Sequence, residues 1–146
     1  NHPKGVMTYF NLKEYDDEDE VSLTYFDSRG DTIKSFSTTN KKEDKLEVKK
    51  GMNQFNWNMT YDGAEKLDGM ILWWASLSGP QAVPGDYKVE LKVNDEVISQ
   101  PFTVLADPRS ESTLEDMKAQ FDFITVVNKT MDEAHKTIKK IRKDCE

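Results

Sequence analysis

The feature that most constrains this chain is a change of period at Asp107-Pro108-Arg109. Before that point apolar residues recur at every second position in short runs separated by turn residues, the pattern of a sheet with one buried face. Val6, Thr8, Phe10 and Leu12 alternate with Met7, Tyr9 and Asn11, and Val21, Leu23 and Tyr25 with Ser22 and Thr24. Asp27-Ser28-Arg29-Gly30-Asp31 supplies a hairpin loop with Thr32 to Phe36 as the returning strand. A solvated link over 39–45 leads to Leu46–Val48, a short strand by its pattern, and a Lys49-Lys50-Gly51 turn follows. Phe55, Trp57 and Met59, separated by asparagines, predict a central strand whose tryptophan points inward. Tyr87, Val89, Leu91 and Val93 alternate with charged residues, and Asn94-Asp95 turns the chain into a closing strand over 97–104. Short strands with turns every 8 to 12 residues or so are the mark of a β-sandwich.

After the break the period becomes helical. Ser112 and Glu115 have capping-box spacing, acidic residues fill the first turn, and Lys136, Lys139, Lys140, Arg142 and Lys143 load the far end in keeping with the helix dipole. A helix is therefore predicted from about Thr113 to Arg142. Its stripe runs through Leu114, Met117, Phe121, Ile124, Met131 and Ile138, is interrupted by Asn128 and His135, and is widened by Phe123, Val127, Ala134 and Ile141. Such a helix is about 45 Å long, against a radius of gyration near 13 Å for a sandwich of about 100 residues. Part of the stripe should overhang and seek another helix, in a second copy or in a longer parent chain. Asn128 would then set the register of that pairing.

Composition narrows the function classes. With 27 acidic against 20 basic side chains and a net charge of -7, the chain lacks the cationic field that nucleic acid or an anionic membrane surface requires. No apolar run approaches the roughly 18 residues that span a bilayer. The single cysteine, Cys145, excludes an intrachain disulfide. The chain opens on Asn1 and carries no signal peptide, so it is expected to be a piece of a longer polypeptide.

Several clusters invite a chemical reading. Asp62, Glu65 and Asp68 share a loop beside Tyr61, but nothing in the pattern pairs two carboxylates across a sugar site, and solubility of a loop explains them as well. Trp73 and Trp74 are adjacent, so in an extended segment they face opposite ways and one of them is presented outward. With Tyr61 they form either a contact patch for a neighbouring domain or a stacking platform for glycans. The run Asp16 to Glu20 lacks the spacing and central glycine of a calcium loop and reads as a solvated turn. Arg29-Gly30-Asp31 matches an adhesion tripeptide, though turn chemistry alone accounts for it. His2 and His135 lie far apart without companion cysteines, so no zinc site is expected, and no cofactor or catalytic residue is assigned.

The run Gly51-Met52-Asn53-Gln54-Phe55-Asn56-Trp57-Asn58, then Gly69 to Trp74, then Gly79-Pro80-Gln81-Ala82-Val83-Pro84-Gly85-Asp86-Tyr87, is similar to a region of large bacterial proteins. It resembles the part that follows the β-propellers of BNR-repeat, sortilin-like glycosyl hydrolase-type proteins, and the likeness extends through Gln100-Pro101-Phe102-Thr103-Val104 into the helix near Gln120-Phe121-Asp122. The resemblance implies an immunoglobulin-like module of the hook-capping-protein type followed by a helix, in an exported bacterial protein that is periplasmic, outer-membrane-associated or secreted. The propeller's own Asp-box signature is absent from the sequence, so no catalytic residue carries over.

The expected architecture is mainly β: an immunoglobulin-like β-sandwich over 1–106, a hinge at 107–112 and one long helix over 113–143. The expected role is that of a non-catalytic accessory module. Its contact surface would comprise Tyr61, Asp62, Glu65, Asp68, Trp73 and Trp74, and its helix interface Leu114, Met117, Phe121, Ile124, Asn128, Met131, His135 and Ile138. The expected partners are the parent's propeller and helical C-terminal segment, a second copy through the helix, or, as the rival reading of a carbohydrate-binding module, a polysaccharide.

Overall fold

The computed structural model describes residues 4–41, 43–67, 69, 70 and 76–145. Among them are six strands and one long helix, so the fold is mostly β with a single C-terminal helix. The strands are β1 (Val6–Leu12), β2 (Val21–Phe26), β3 (Thr32–Ser37), β4 (Gly51–Trp57), β5 (Gly85–Val93) and β6 (Glu96–Val104), and the helix is α1 (Leu114–Asp144). All pairings are antiparallel, in a two-stranded sheet β1-β4 and a four-stranded sheet β3-β2-β5-β6. This is the order in which strands B-E face C′-C-F-G in immunoglobulin-type sandwiches.

The two sheets pack through aromatic side chains. Trp57 of β4 is 1% exposed and stacks on Tyr25 of β2, with ring centroids 4.5 Å apart. Tyr87 of β5 meets Trp57 edge-on, while Phe55 lies against Phe36 of β3. The buried Tyr25 hydroxyl shares a hydrogen bond of 2.7 Å with Thr8 Oγ1 of β1, so the polar end of a core aromatic is satisfied across the sheets. Burial pushes that phenol up to about 12, against the opposing pull of the Thr8 bond. Val21, Leu23, Leu46 and Leu12 complete this core.

The alternating pattern places most of these strands, but three expectations change. Leu46 is buried, yet 46–48 forms no strand; a single parallel bridge between Lys45 and Ser37 holds that stretch. The strand carrying Trp57 belongs to the two-stranded sheet and is not central. It stops at Trp57 because Met59 has φ 62, a left-handed backbone that an extended ladder cannot contain. The cap of α1 also lies one residue beyond the Ser112–Glu115 box. Thr113 Oγ1 accepts from the Asp116 N–H at 3.1 Å, and Asp116 Oδ2 accepts from the Thr113 N–H at 3.0 Å. These bonds hold the Asp116 carboxyl below its ordinary range.

By its internal contacts the chain divides into two compact units, one of residues 1–59 and 84–105, the other of 60–83 and 106–146. The helix is thus not alone after a hinge: the long connection between β4 and β5, which the sequence pattern assigns to the sandwich, clusters with it. The described residues of that connection join neither sheet and take their partners from one another and from the helix face.

Candidate functional site

The second unit is built from two irregular limbs, 60–67 and 76–83, and α1. The limbs run side by side: the Tyr61 N–H donates to the Pro80 carbonyl and the Ala64 N–H to the Leu77 carbonyl, both at 2.9 Å, and Thr60 bridges Gln81. Their backbones approach so closely that only glycine fits. A Cβ at Gly63 would collide with the Leu77 carbonyl, and one at Gly79 with the carbonyls of Tyr61 and Asp62.

This double limb lies along one face of α1. The Tyr61 ring meets Phe121 edge-on at 4.7 Å between centroids, and Asn128 Nδ2 donates to the Ser78 carbonyl at 3.3 Å. Glu65 is the densest contact. Its N–H donates to Asp132 Oδ1, its carbonyl accepts from His135 Nδ1, and its carboxylate pairs with Lys139 Nζ, each at 2.5 Å. Asp132, His135 and Lys139 stand above one another on successive turns, so one loop residue is held by three helix positions. His135 is 5% exposed, and the carbonyl it faces can only accept, which places the ring proton on Nδ1.

The residues singled out in the sequence therefore fall as follows. Met117, Phe121, Ile124, Asn128 and Met131 are partly covered on α1 and His135 is buried, whereas Leu114 and Ile138 are exposed. Asn128 bonds to a loop of its own chain, where sequence reasoning expected a register device between helices. Tyr61 and Glu65 face α1, and Asp62 is exposed. Asp68, Trp73 and Trp74 lie outside the described residues. The acidic turn is tied to the sandwich: Asp19 accepts from the Asp16 N–H and from Asn94 Nδ2, which lowers its carboxyl below the ordinary range. No group of acidic, histidine or cysteine side chains among the described residues is arranged to hold a metal ion, and no described helix is long and apolar enough to cross a membrane.

A second stripe of α1 is left open. Phe123 is 70% exposed, Val126 63% and Ile141 57%, with Val127 and Ile138 also exposed. Phe123, Val127, Thr130, Ala134, Thr137 and Ile141 follow one another at intervals of four and three residues, the spacing of a helix-pairing seam. At about 100° per residue this seam is displaced by roughly a third of a turn from the Phe121–His135 face, away from Lys118, Asp122, Lys129, Lys136 and Lys140. The sequence shows Phe123, Val127, Ala134 and Ile141 as a widening of one stripe; two distinct faces emerge only because the limbs 60–67 and 76–83 cover one of them. The close approach at Gly63 and Gly79 and the bonds of Asp132 and Lys139 to Glu65 join segments far apart in the chain and leave no periodic mark in the sequence beyond the Gly79-Pro80 step.

No protein-family model, curated protein or solved structure gives a significant match to this chain.

Proposed function

We propose that this chain is a non-catalytic interaction module in which the open seam of α1 receives an amphipathic helix and holds it in a fixed orientation. The observation that carries the reading is the exposure of Phe123, Val127 and Ile141 along a heptad-spaced line on a helix whose other apolar face is already covered. The resemblance to the region after the propellers of BNR-repeat, sortilin-like proteins supports a place in a larger exported bacterial protein, where such a module joins a propeller to a helical segment. Among the described residues α1 is the one helix, and the partner that the heptad-spaced seam fits is a second copy of α1. The helical unit gains a connection to its neighbour by burying such a seam, without any chemistry of its own.

Sedimentation velocity over a wide concentration range tests the reading. The wild type should show reversible association that the double variant Phe123→Asp, Ile141→Asp abolishes, both proteins keeping the same helical circular dichroism. A strictly monomeric wild type at the highest concentration would overturn it.

A further inference from the structure

The loop that joins β2 to β3 is five residues long, Asp27 to Asp31, and it is closed by its own backbone and by one carboxylate. The Asp27 N–H donates to the Asp31 carbonyl at 3.0 Å, and the Gly30 N–H to the Asp27 carbonyl at 3.1 Å. Asp27 Oδ1 also accepts from the N–H groups of Arg29 and Asp31, each at 2.9 Å, so the aspartate side chain nucleates the turn. Gly30 has φ 88, a left-handed backbone that strains any other residue even though nothing stands within 4 Å of where a Cβ would lie. The strands beneath are firmly set: Tyr25 and Ile33 are buried, and β2 is paired on both sides, with β3 and with β5. Ser28, Arg29, Gly30 and Asp31 are all exposed on this fixed loop.

Asp27 and Gly30 account for the turn, but the side chains of Arg29 and Asp31 take no part in it. Among the described residues neither side chain makes a hydrogen bond or an ion pair. Opposite charges at this separation can satisfy each other, as another turn of the same chain shows. Asp107 and Arg109 are likewise two residues apart, and there Arg109 Nε donates to Asp107 Oδ1 at 3.0 Å and Nη2 to Oδ2 at 2.9 Å. Pro108 fixes that turn at a φ of about -65°. The left-handed Gly30 gives the backbone another course, and the pair around it stays open. The loop thus offers a guanidinium and a carboxylate together, both free and both held on a rigid frame. A guanidinium is best met by the two oxygens of a carboxylate, and a free carboxylate by a hard divalent cation.

We infer that the Arg29-Gly30-Asp31 tip is an interaction site for a partner protein whose cleft presents a carboxylate to Arg29 and a bound divalent cation to Asp31, the chemistry of integrin-type adhesion receptors. The site belongs to the sandwich and does not depend on the seam of α1. Its affinity comes from two charged contacts made at once, and the closed turn lowers the entropy lost in making them.

The test is binding of the full chain to an immobilised integrin ectodomain of the Arg-Gly-Asp-binding class in the presence of manganese. Binding should be saturable and should vanish when the manganese is chelated. Asp31→Glu keeps the charge and the backbone bonds but displaces the carboxylate by one methylene, and Arg29→Gln removes the guanidinium. Each should weaken binding by about tenfold or more, with circular dichroism and thermal stability as in the wild type. The linear peptide Asp-Ser-Arg-Gly-Asp-Thr, which has the tripeptide without the hairpin, should bind about tenfold more weakly than the chain. Absence of saturable binding by the full chain, or binding that survives chelation or Asp31→Glu, would overturn the inference. A peptide that binds as tightly as the folded chain would overturn it as well, because the loop geometry would then contribute nothing.

Discussion

The two units of this chain are held by different forces. The sandwich is centred on Trp57, Tyr25 and Leu23, all fully buried, and its buried polar groups are satisfied locally, Tyr25 by Thr8 and Asn53 by the backbone of Lys49 and Gly51. The helical unit has one buried residue on α1, His135, and its limbs are fastened through Glu65 by two hydrogen bonds and one ion pair. Burial of apolar area acts without direction and tolerates modest shifts, whereas a polar clamp fails when one partner is removed and leaves the other unsatisfied. The difference explains why the sandwich is continuous with its sequence pattern, while the second unit depends on a few residues at particular places.

Breaking the apolar side of the comparison should cost most. Trp57→Ala removes the ring that stacks on Tyr25 and meets Tyr87 edge-on, and should destabilise the sandwich by about 3–5 kcal/mol, seen as a fall in the urea midpoint followed by far-ultraviolet circular dichroism. The same core carries an alkaline sensitivity. Because the folded state keeps the Tyr25 proton up to about 12, against 10.0 for a free phenol, this contribution is complete below the unfolded value. It is lost as pH rises through the folded one, to a total of roughly 2–3 kcal/mol. Comparing the stability of wild type and Tyr25→Phe from pH 9 to 12 should show this additional slope in the wild type only; parallel curves would remove Tyr25 from the explanation.

On the polar side, His135→Ala strips the Glu65 carbonyl of its donor and should cost about 1–3 kcal/mol. The loss should fall on the helical unit: hydrogen exchange should quicken in 60–67 and along Asp132–Lys139, with β2 and β5 unaffected. Equal loosening of the sandwich strands would mean that the two units are not held separately.

These differences also mark what the sequence makes legible. Period-two runs locate β1, β2, β3, β5 and β6 because each strand buries alternate residues, and the change at Asp107-Pro108 marks where that regime ends. Leu46 misleads because a single deeply buried leucine in an irregular stretch looks the same as the middle of a short strand. The helix start shifts by one residue because Thr113-x-x-Asp116 and Ser112-x-x-Glu115 are overlapping boxes, and only geometry chooses between them. The face of α1 through Phe121, Ile124 and His135 is visible as periodicity, but its partner is not. The limbs that cover it have no repeat, and their fit rests on two glycines and one glutamate whose roles appear only when distant segments meet. For the same reason the open seam through Phe123 and Ile141 could not be separated in advance from the covered face.

The central claim is that this seam is the surface on which another helix rests. Its most direct test is the alkylation rate of single cysteines placed at Ala134, on the seam, and at Lys136, on the charged face, each in a Cys145→Ser background. The account predicts that the thiol at Ala134 is alkylated progressively more slowly as protein concentration rises, while the thiol at Lys136 reacts at a constant rate. Equal and concentration-independent rates at the two positions would contradict it.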